Sequence, residues 1–288
     1  VAVIEIFHAS ALDFSPDGFG HDVLICDAPY SPHVHDNCAS VGVAGGEGMG
    51  AHARDLGFAA LTPELRLFVA MAAACARRWS AVFSDLEGAH AWRVDAALAG
   101  AEYIREVPWI RWSQPQLSGD RPCSGAEAIL VWHAQNIGPR GGRKPVAKHW
   151  NGPGSLTHFE RRCMRGQDKH PTEKPIDLAL DLVCYFSDPG ELVLDLCGGA
   201  GTTAVACRLL GRNCVVVEND EQWAGFAERR VRARLSPRDD ARAKEWCVSV
   251  ASEAASVPFP SAPDGSDVRT WERAQRRLAD VERVAAAL

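Results

Sequence analysis

Two short runs in this chain gather groups that could do chemistry, and they lie about 165 residues apart. Asp27-Ala28-Pro29-Tyr30 closes the apolar run Val23-Leu24-Ile25-Cys26 and sets a carboxylate, a peptide carbonyl and an aromatic ring within four residues. Such a set can hold a planar exocyclic amine. Asp27 and the Ala28 carbonyl supply two acceptors for its two N–H bonds, and Pro29, lacking an N–H, fixes the turn that presents them. Taken alone, a strand followed by Asp and Pro is also an ordinary turn. The second run, Asp195-Leu196-Cys197-Gly198-Gly199-Ala200-Gly201-Thr202-Thr203, closes the apolar stretch Leu192-Val193-Leu194. Its glycines allow a sharp turn and close approach of a ligand to the backbone, and the helix that follows opens with free N–H groups.

These residues need elements to position them. Around the second run the pattern reads strand, glycine turn, helix from Thr202 to Leu210, a stop at Gly211, and a new strand Cys214-Val215-Val216-Val217 ending in Glu218. An acidic residue at the end of the second strand, about 20 residues past the turn, is where doubly wound folds bind ribose hydroxyls. That geometry suits NAD, a flavin or S-adenosylmethionine equally. Upstream, Lys169-His170-Pro171-Thr172-Glu173-Lys174-Pro175 precedes a helical stretch from Ile176 to Phe186. Elsewhere the pattern predicts a helix from Pro63 to Trp79, capped by Thr62 with Pro63 in its first turn. A strand over 81–85, a helix over 89–99 and a strand over 128–133 follow.

The two runs in this order, together with His170 to Pro175, resemble the DNA amino-methyltransferases that methylate adenine N6 or cytosine N4 with S-adenosylmethionine. The catalytic motif precedes the cofactor motif, as in the permuted beta group. Trp109-Ile110-Arg111-Trp112 and the stretch from Asp120 to Leu130 are similar to that family's Trp-rich strand and Arg-Pro…Glu segment. The resemblance covers roughly residues 4 to 235. It implies an α/β Rossmann-like methyltransferase fold, with a mostly parallel central sheet and helices on both faces. Asp27, Ala28, Pro29 and Tyr30 would then form the target site, Tyr30 stacking on a base flipped out of the duplex. Asp195, Cys197, Gly199, Gly201, Thr202 and Glu218 would bind the cofactor, with Thr172 and Lys174 contributing from upstream. Two positions depart from the family: Ala28 stands where many relatives have proline, and Cys197 where phenylalanine is common. An aspartate at the first position of the target motif favours adenine N6 over cytosine N4. An RNA methyltransferase, an idle cofactor-binding nucleic-acid protein and a dehydrogenase are the remaining readings. The last leaves Asp27 to Tyr30 and His170 to Pro175 unexplained.

Composition adds bounds. The 288 residues suffice for one catalytic domain, expected over 1–235, plus an appendage. Ten scattered cysteines without a Cys-x-x-Cys pair read as reduced cytoplasmic thiols, and the ten histidines show no zinc spacing, so no metal is expected. No apolar stretch is long enough to span a membrane. Net charge is −6, yet residues 134–169 hold eight Lys/Arg against two acids, leaving −12 for the rest. This segment is expected to bind DNA, single- or double-stranded, through Arg140, Arg143, Lys144, Lys148, Arg161, Arg162 and Arg165. Glycine-rich residues 31–58 read as a lid over the site, with His33 and His35 as surface residues. Residues 236–267 read as a linker. Within 268–288, Val268, Trp271, Ala274, Leu278, Val281, Ala285 and Leu288 form one apolar stripe with Arg273, Arg276, Arg277 and Arg283 on other faces. That helix is expected either to dock on its own core or to pair two protomers as a homodimer.

Overall fold

The computed structural model describes residues 2–36, 39–40, 52–53, 58–111, 124–134, 148–163, 170, 172–258, 260 and 268–288. Most of the expected lid, Trp112, and the cations Arg140, Arg143, Lys144 and Arg165 lie outside these residues.

One eight-stranded sheet carries the fold. Its strands are β1 (Ile4–His8), β2 (Val23–Cys26), β5 (Trp79–Ser84), β6 (Glu102–Ile110), β7 (Ala126–His133), β8 (Phe159–Glu160), β9 (Leu192–Asp195) and β10 (Asn213–Glu218). The two-residue strands β3 (Ala39–Ser40) and β4 (His52–Ala53) pair separately. The sheet order is β1-β10-β9-β2-β5-β7-β6-β8, and β7 alone runs against its neighbours. Alternation along β2 shows why both faces must be covered: Val23 and Ile25 enter one core, Leu24 and Cys26 the other.

Two helices, α2 (Pro63–Cys75) and α3 (Ala89–Ala99), cover the Leu24 face. The opposite face takes α4 (Ile176–Phe186), α5 (Thr202–Leu210), α7 (Pro237–Ala255) and α8 (Val268–Ala287). A short α1 (Pro32–Asp36) follows the Asp27 loop, and α6 (Glu221–Arg232) packs on β1 and β10. Helix α4 is buried from Leu178 to Phe186, which matches its largely apolar sequence, and its one buried acid there, Asp181, is paired with Arg161 and Trp246.

Three expectations are corrected. Helix α2 stops at Cys75, before Trp79, because Ala76 turns extended and the Arg78 N–H leaves to bond the Asp22 carbonyl at 2.9 Å. Trp79 then opens β5. Much of the stretch expected as linker is instead the 19-residue α7. Ser236 caps it by accepting from the Asp239 N–H at 3.1 Å, Pro237 sits in its first turn, and Ala243, Trp246, Cys247, Val250 and Ala254 bury one face. Finally, α8 is present as expected but rotated. Ala274, Arg277, Asp280 and Val284 face inward, while Ala285 and Leu288 are exposed. Burying Arg277 is tolerated because it donates to the Asn151 carbonyl at 3.0 Å, and Asp280 grips Arg212 with both oxygens, at 2.5 and 2.9 Å. The helix thus docks on its own chain.

Among the described residues no helix is long and apolar enough to cross a membrane, and no His/Cys/Asp/Glu group is placed to hold a metal ion. The eight described cysteines are free thiols.

Candidate active site

Strands β9 and β2 are parallel neighbours whose chains depart in opposite directions, to β10 on one side and β5 on the other. The carboxyl ends of two such strands flank a crevice where α/β sheets bind ligands. Asp195 stands at the end of β9 and Asp27 directly after β2, so the two candidate runs, distant in sequence, open into one crevice. A cavity of about 20 Å³ joins them, lined by Asp27, Phe83, Lys174, Leu178, Thr202 and Thr203 among others.

On the β9 side the loop is built by backbone geometry. Gly199 and Gly201 adopt φ of +49° and +74°, left-handed values that favour glycine. A Cβ on Gly198 would lie 2.1 Å from Val216, and one on Gly201 would lie 2.7 Å from the Ala227 side chain. The first intrahelical bond of α5 is Val205 N–H to Gly201 C=O at 3.0 Å, so the N–H groups of its first turn have no intrahelical acceptor. Glu218 accepts from the Gly199 N–H at 2.6 Å and from the Asp220 N–H at 2.9 Å, so it braces the turn while retaining lone pairs for a ligand. Asp195 accepts from the Cys197 N–H at 3.1 Å, and burial raises its pKa to about 7 despite hydrogen bonds from Thr203 and Cys197. The Cys197 thiol bonds that of Cys26, which with burial holds the Cys26 thiol well above its usual range. His170 lies 3.5 Å from where a Gly199 Cβ would be, edge-on to Trp223 with ring centroids 4.5 Å apart. Burial first, then Lys174, lowers its pKa to about 4. Thr172 approaches the His170 ring through its hydroxyl at 3.3 Å, which places it beside the glycine turn.

The β2 side is built by side chains. Asp27 meets the Lys174 ammonium at 2.7 Å. That ammonium is 3.3 Å from the Tyr30 hydroxyl and 3.5 Å from Glu127, and Tyr30 donates a hydrogen bond to Glu127. Arg111 closes the cluster with a 2.6 Å pair to Glu127. Around Lys174 stand the rings of Tyr30, Phe83 and Trp109, with centroids at 5.2, 4.9 and 5.8 Å. Two carboxylates and three aromatic faces therefore surround one ammonium. Burial would lower the Lys174 pKa, but Asp27 and Glu127 outweigh it and hold it above its ordinary value. Burial raises Asp27 to about 6, with Glu127 adding and Lys174 opposing. Tyr30 is pushed well above its usual range by burial and both carboxylates. Ala28 is buried, Asp85 fixes the exit of the loop by accepting from the Ser31 N–H at 3.1 Å, and Leu61 N–H bonds the Tyr30 carbonyl at 3.0 Å.

Lys174, expected on the cofactor side, thus touches the target side. Sequence reasoning does not single out Glu127 as a site residue. The available signals are that Glu127 is the glutamate of the Arg-Pro…Glu segment and that it stands at the head of the apolar strand Ala126–His133. Of the cations expected to bind DNA, the described residues include Lys148, Arg161 and Arg162, and these three do not share one surface. Lys148 pairs with Glu102, at the start of β6, and its neighbour His149 accepts from Trp79, at the start of β5. Both contacts lie at the sheet end opposite Asp27. Arg161 turns inward to Asp181 at 2.8 Å, which neutralises it, while Arg162 is exposed.

A DNA methylase family model of the N6/N4 type matches residues 112–229. The type II methyltransferase M.HinfI of Haemophilus influenzae is 36% identical over 67 residues, which are 23% of this chain and 19% of that relative. The match therefore spans about a fifth of the relative's length. Among solved structures, the M1.HpyAVI–SAM complex aligns with a TM-score of 0.58 over 80% of this chain and 100% of that one, at 19% identity. The cytosine-N4-specific PvuII DNA methyltransferase aligns with a TM-score of 0.55 over 85% of this chain and 92% of that one, at 9% identity. At these identities the likeness shows the fold, α/β and Rossmann-like, with the mostly parallel sheet and two helical layers described above.

Proposed function

We propose that this chain, whose residues 112–229 match an N6/N4 DNA methylase family model, transfers a methyl group from S-adenosylmethionine to the exocyclic N6 of adenine in DNA. The observation that carries this reading is the shared crevice: Asp27, in the loop after β2, and Thr202 and Thr203, where the glycine turn after the adjacent strand β9 enters α5, line one cavity.

The donor set fits the cofactor. Glycines let the turn pack tightly on Val216 and Ala227 in left-handed geometry, the α5 N-terminus offers N–H groups, and Glu218 retains acceptor capacity. Asp195, Cys197, Gly199, Gly201, Thr202 and Glu218 would hold S-adenosylmethionine, with Thr172 beside the turn. When bound, it supplies an electrophilic sulfonium methyl. Asp27 and the Ala28 carbonyl accept the two amine N–H bonds, favouring a pyramidal nitrogen whose lone pair is freed for in-line attack. The nitrogen is cationic as it is methylated and then gives up one N–H proton, for which Asp27, already accepting that N–H, is the base, while the ring face of Tyr30 favours the passing charge. Lys174 keeps Asp27 ionised near neutrality. Tyr30, held by Glu127, offers a ring face to the flipped base. Among the described residues Arg162 is an exposed cation near this end of the sheet that could meet a phosphate. Aspartate at position 27 supports adenine over cytosine.

Tritiated methyl transfer to mixed-sequence DNA, single- and double-stranded, with digestion to nucleosides, tests the reading. N6-methyladenine that vanishes with Asp27→Ala is the expected result. N4-methylcytosine would retain the mechanism and overturn the base; absence of transfer would overturn the activity.

A further inference from the structure

We propose that Arg230 is a positioning residue that ties the glycine turn to the segment bearing Lys174, so that cofactor binding and the Asp27 pocket are set by one guanidinium. This rests on reading the turn as the cofactor loop. Arg230 projects from α6, and one of its terminal nitrogens donates to the Ala200 carbonyl and to the Thr202 hydroxyl, each at 3.0 Å. The other lies 2.8 Å from Glu173 and 3.1 Å from Asp239. All three charged side chains are nearly excluded from solvent, at 10%, 1% and 2% exposure.

Each contact falls where the turn has least support of its own. Ala200 lies between the two left-handed glycines, outside any strand ladder, and Thr202 opens α5. The planar fork of Arg230 holds the turn with one nitrogen and the two carboxylates with the other, which the single ammonium of a lysine does not reproduce. Gly201 rests on Ala227 of the same helix, so α6 meets the turn at two points. On the other side, Glu173 is the chain neighbour of Lys174, whose ammonium is 2.7 Å from Asp27. Removing the guanidinium would take away the cation that two buried carboxylates share. The turn and the Lys174 segment would then relax independently. Asp239 belongs to α7 and connects the same cation to the scaffold, away from the crevice.

This asymmetry gives the test. S-adenosylmethionine affinity by calorimetry, kcat and KM for methyl transfer, and melting temperature are compared for wild type, Arg230→Gln, Arg230→Lys, Glu173→Gln, Asp239→Asn and the Arg230→Gln/Glu173→Gln pair. Arg230→Gln and Glu173→Gln should each weaken cofactor binding on the order of tenfold, the double variant no more than the worse single, as expected for coupled neighbours. Arg230→Lys should fall between. Asp239→Asn should lower the melting temperature yet leave cofactor affinity within about twofold. The proposal is overturned if Arg230→Gln binds cofactor like wild type, or if affinity loss merely tracks melting temperature across the set, Asp239→Asn included. Should Arg230→Gln not fold, Arg230→Lys and Glu173→Gln decide by the same criteria. A wild type that does not bind S-adenosylmethionine overturns the reading of the turn, and this proposal with it.

Discussion

The loops after β2 and β9 begin alike, each with an aspartate closing a buried strand, and are stabilised by opposite means. The β9 loop is held by backbone: two left-handed glycines, N–H groups satisfied by Glu218 and Asp195, and approaches too close for a Cβ. The β2 loop is held by side chains: Asp27 with Lys174, Tyr30 with Glu127, and Glu127 with Arg111. Backbone construction suits a ligand contacted through many N–H groups, whichever side chains surround it. Side-chain construction suits a site where charge develops on one atom. The first loop should therefore be sensitive to added volume and the second to removed charge.

The comparison breaks most sharply at Asp27. Asp27→Ala should lower kcat by about 10²–10³-fold, the scale for losing one preorganised partner of developing charge, with cofactor affinity retained in calorimetry. A parallel loss of cofactor binding would mean the two loops are not separable. Gly198→Ala should do the reverse. Its Cβ would stand 2.1 Å from Val216, a buried β-branched side chain with little freedom to yield. Overpacking of this kind costs about 1–3 kcal/mol, read as a lower urea midpoint together with weakened cofactor binding.

Lys174 sharpens the contrast through pH. Burial raises Asp27 from 3.8 to about 6, so the carboxylate takes up a proton as pH falls through 6. Below that, kcat should drop about tenfold per pH unit, since a protonated Asp27 accepts poorly from an amine. Stability runs the other way at this group. A carboxylate raised on folding binds its proton more tightly in the native state, so its contribution is present below about pH 4 and is lost as pH rises through 6. Lys174→Met removes the neighbour that opposes the rise. The inflection of kcat should shift upward, and activity at pH 7 should fall by about an order of magnitude. An unmoved inflection would show that Lys174 does not set the ionisation of Asp27.

The two loops were also unequally legible in the sequence. Glycine spacing, Thr202 to Leu210 and the acid at Glu218 all carry backbone information, and local sequence specifies backbone geometry well. Accordingly, α4 and α5 have the expected limits. The cluster around Asp27 draws on positions 111, 127 and 174, brought together by the tertiary fold, and no local pattern encodes a meeting across so much chain. Lys174 is visible as a motif residue, but the side of the crevice it serves is a tertiary fact. The missed helix α7 has a different cause. Its start signal, Ser236-Pro237, is plain, but its surface is so polar that the stretch resembles a linker until Trp246 is seen donating to the buried Asp181 at 2.8 Å. In α8, apolar periodicity misplaced the buried face because Arg277 and Asp280 are paired inside.

The smallest expected effect is also the most specific to the contrast. Ala28 is buried beside Asp27, but its proposed role belongs to its carbonyl, which any residue supplies. Among the described residues its N–H donates no hydrogen bond, so proline at this position removes no bond. Proline would restrict φ at residue 28 and disfavour helical geometry at Asp27, which already sits past the end of a strand. Ala28→Pro should therefore change kcat by less than about threefold, under 1 kcal/mol at the rate-to-energy conversion, and leave the pH inflection near 6 in place. A methyl-transfer titration against Asp27→Ala provides the scale. A loss approaching that of Asp27→Ala would show that the β2 loop depends on its backbone as strictly as the β9 loop, and the division between the two constructions would fail.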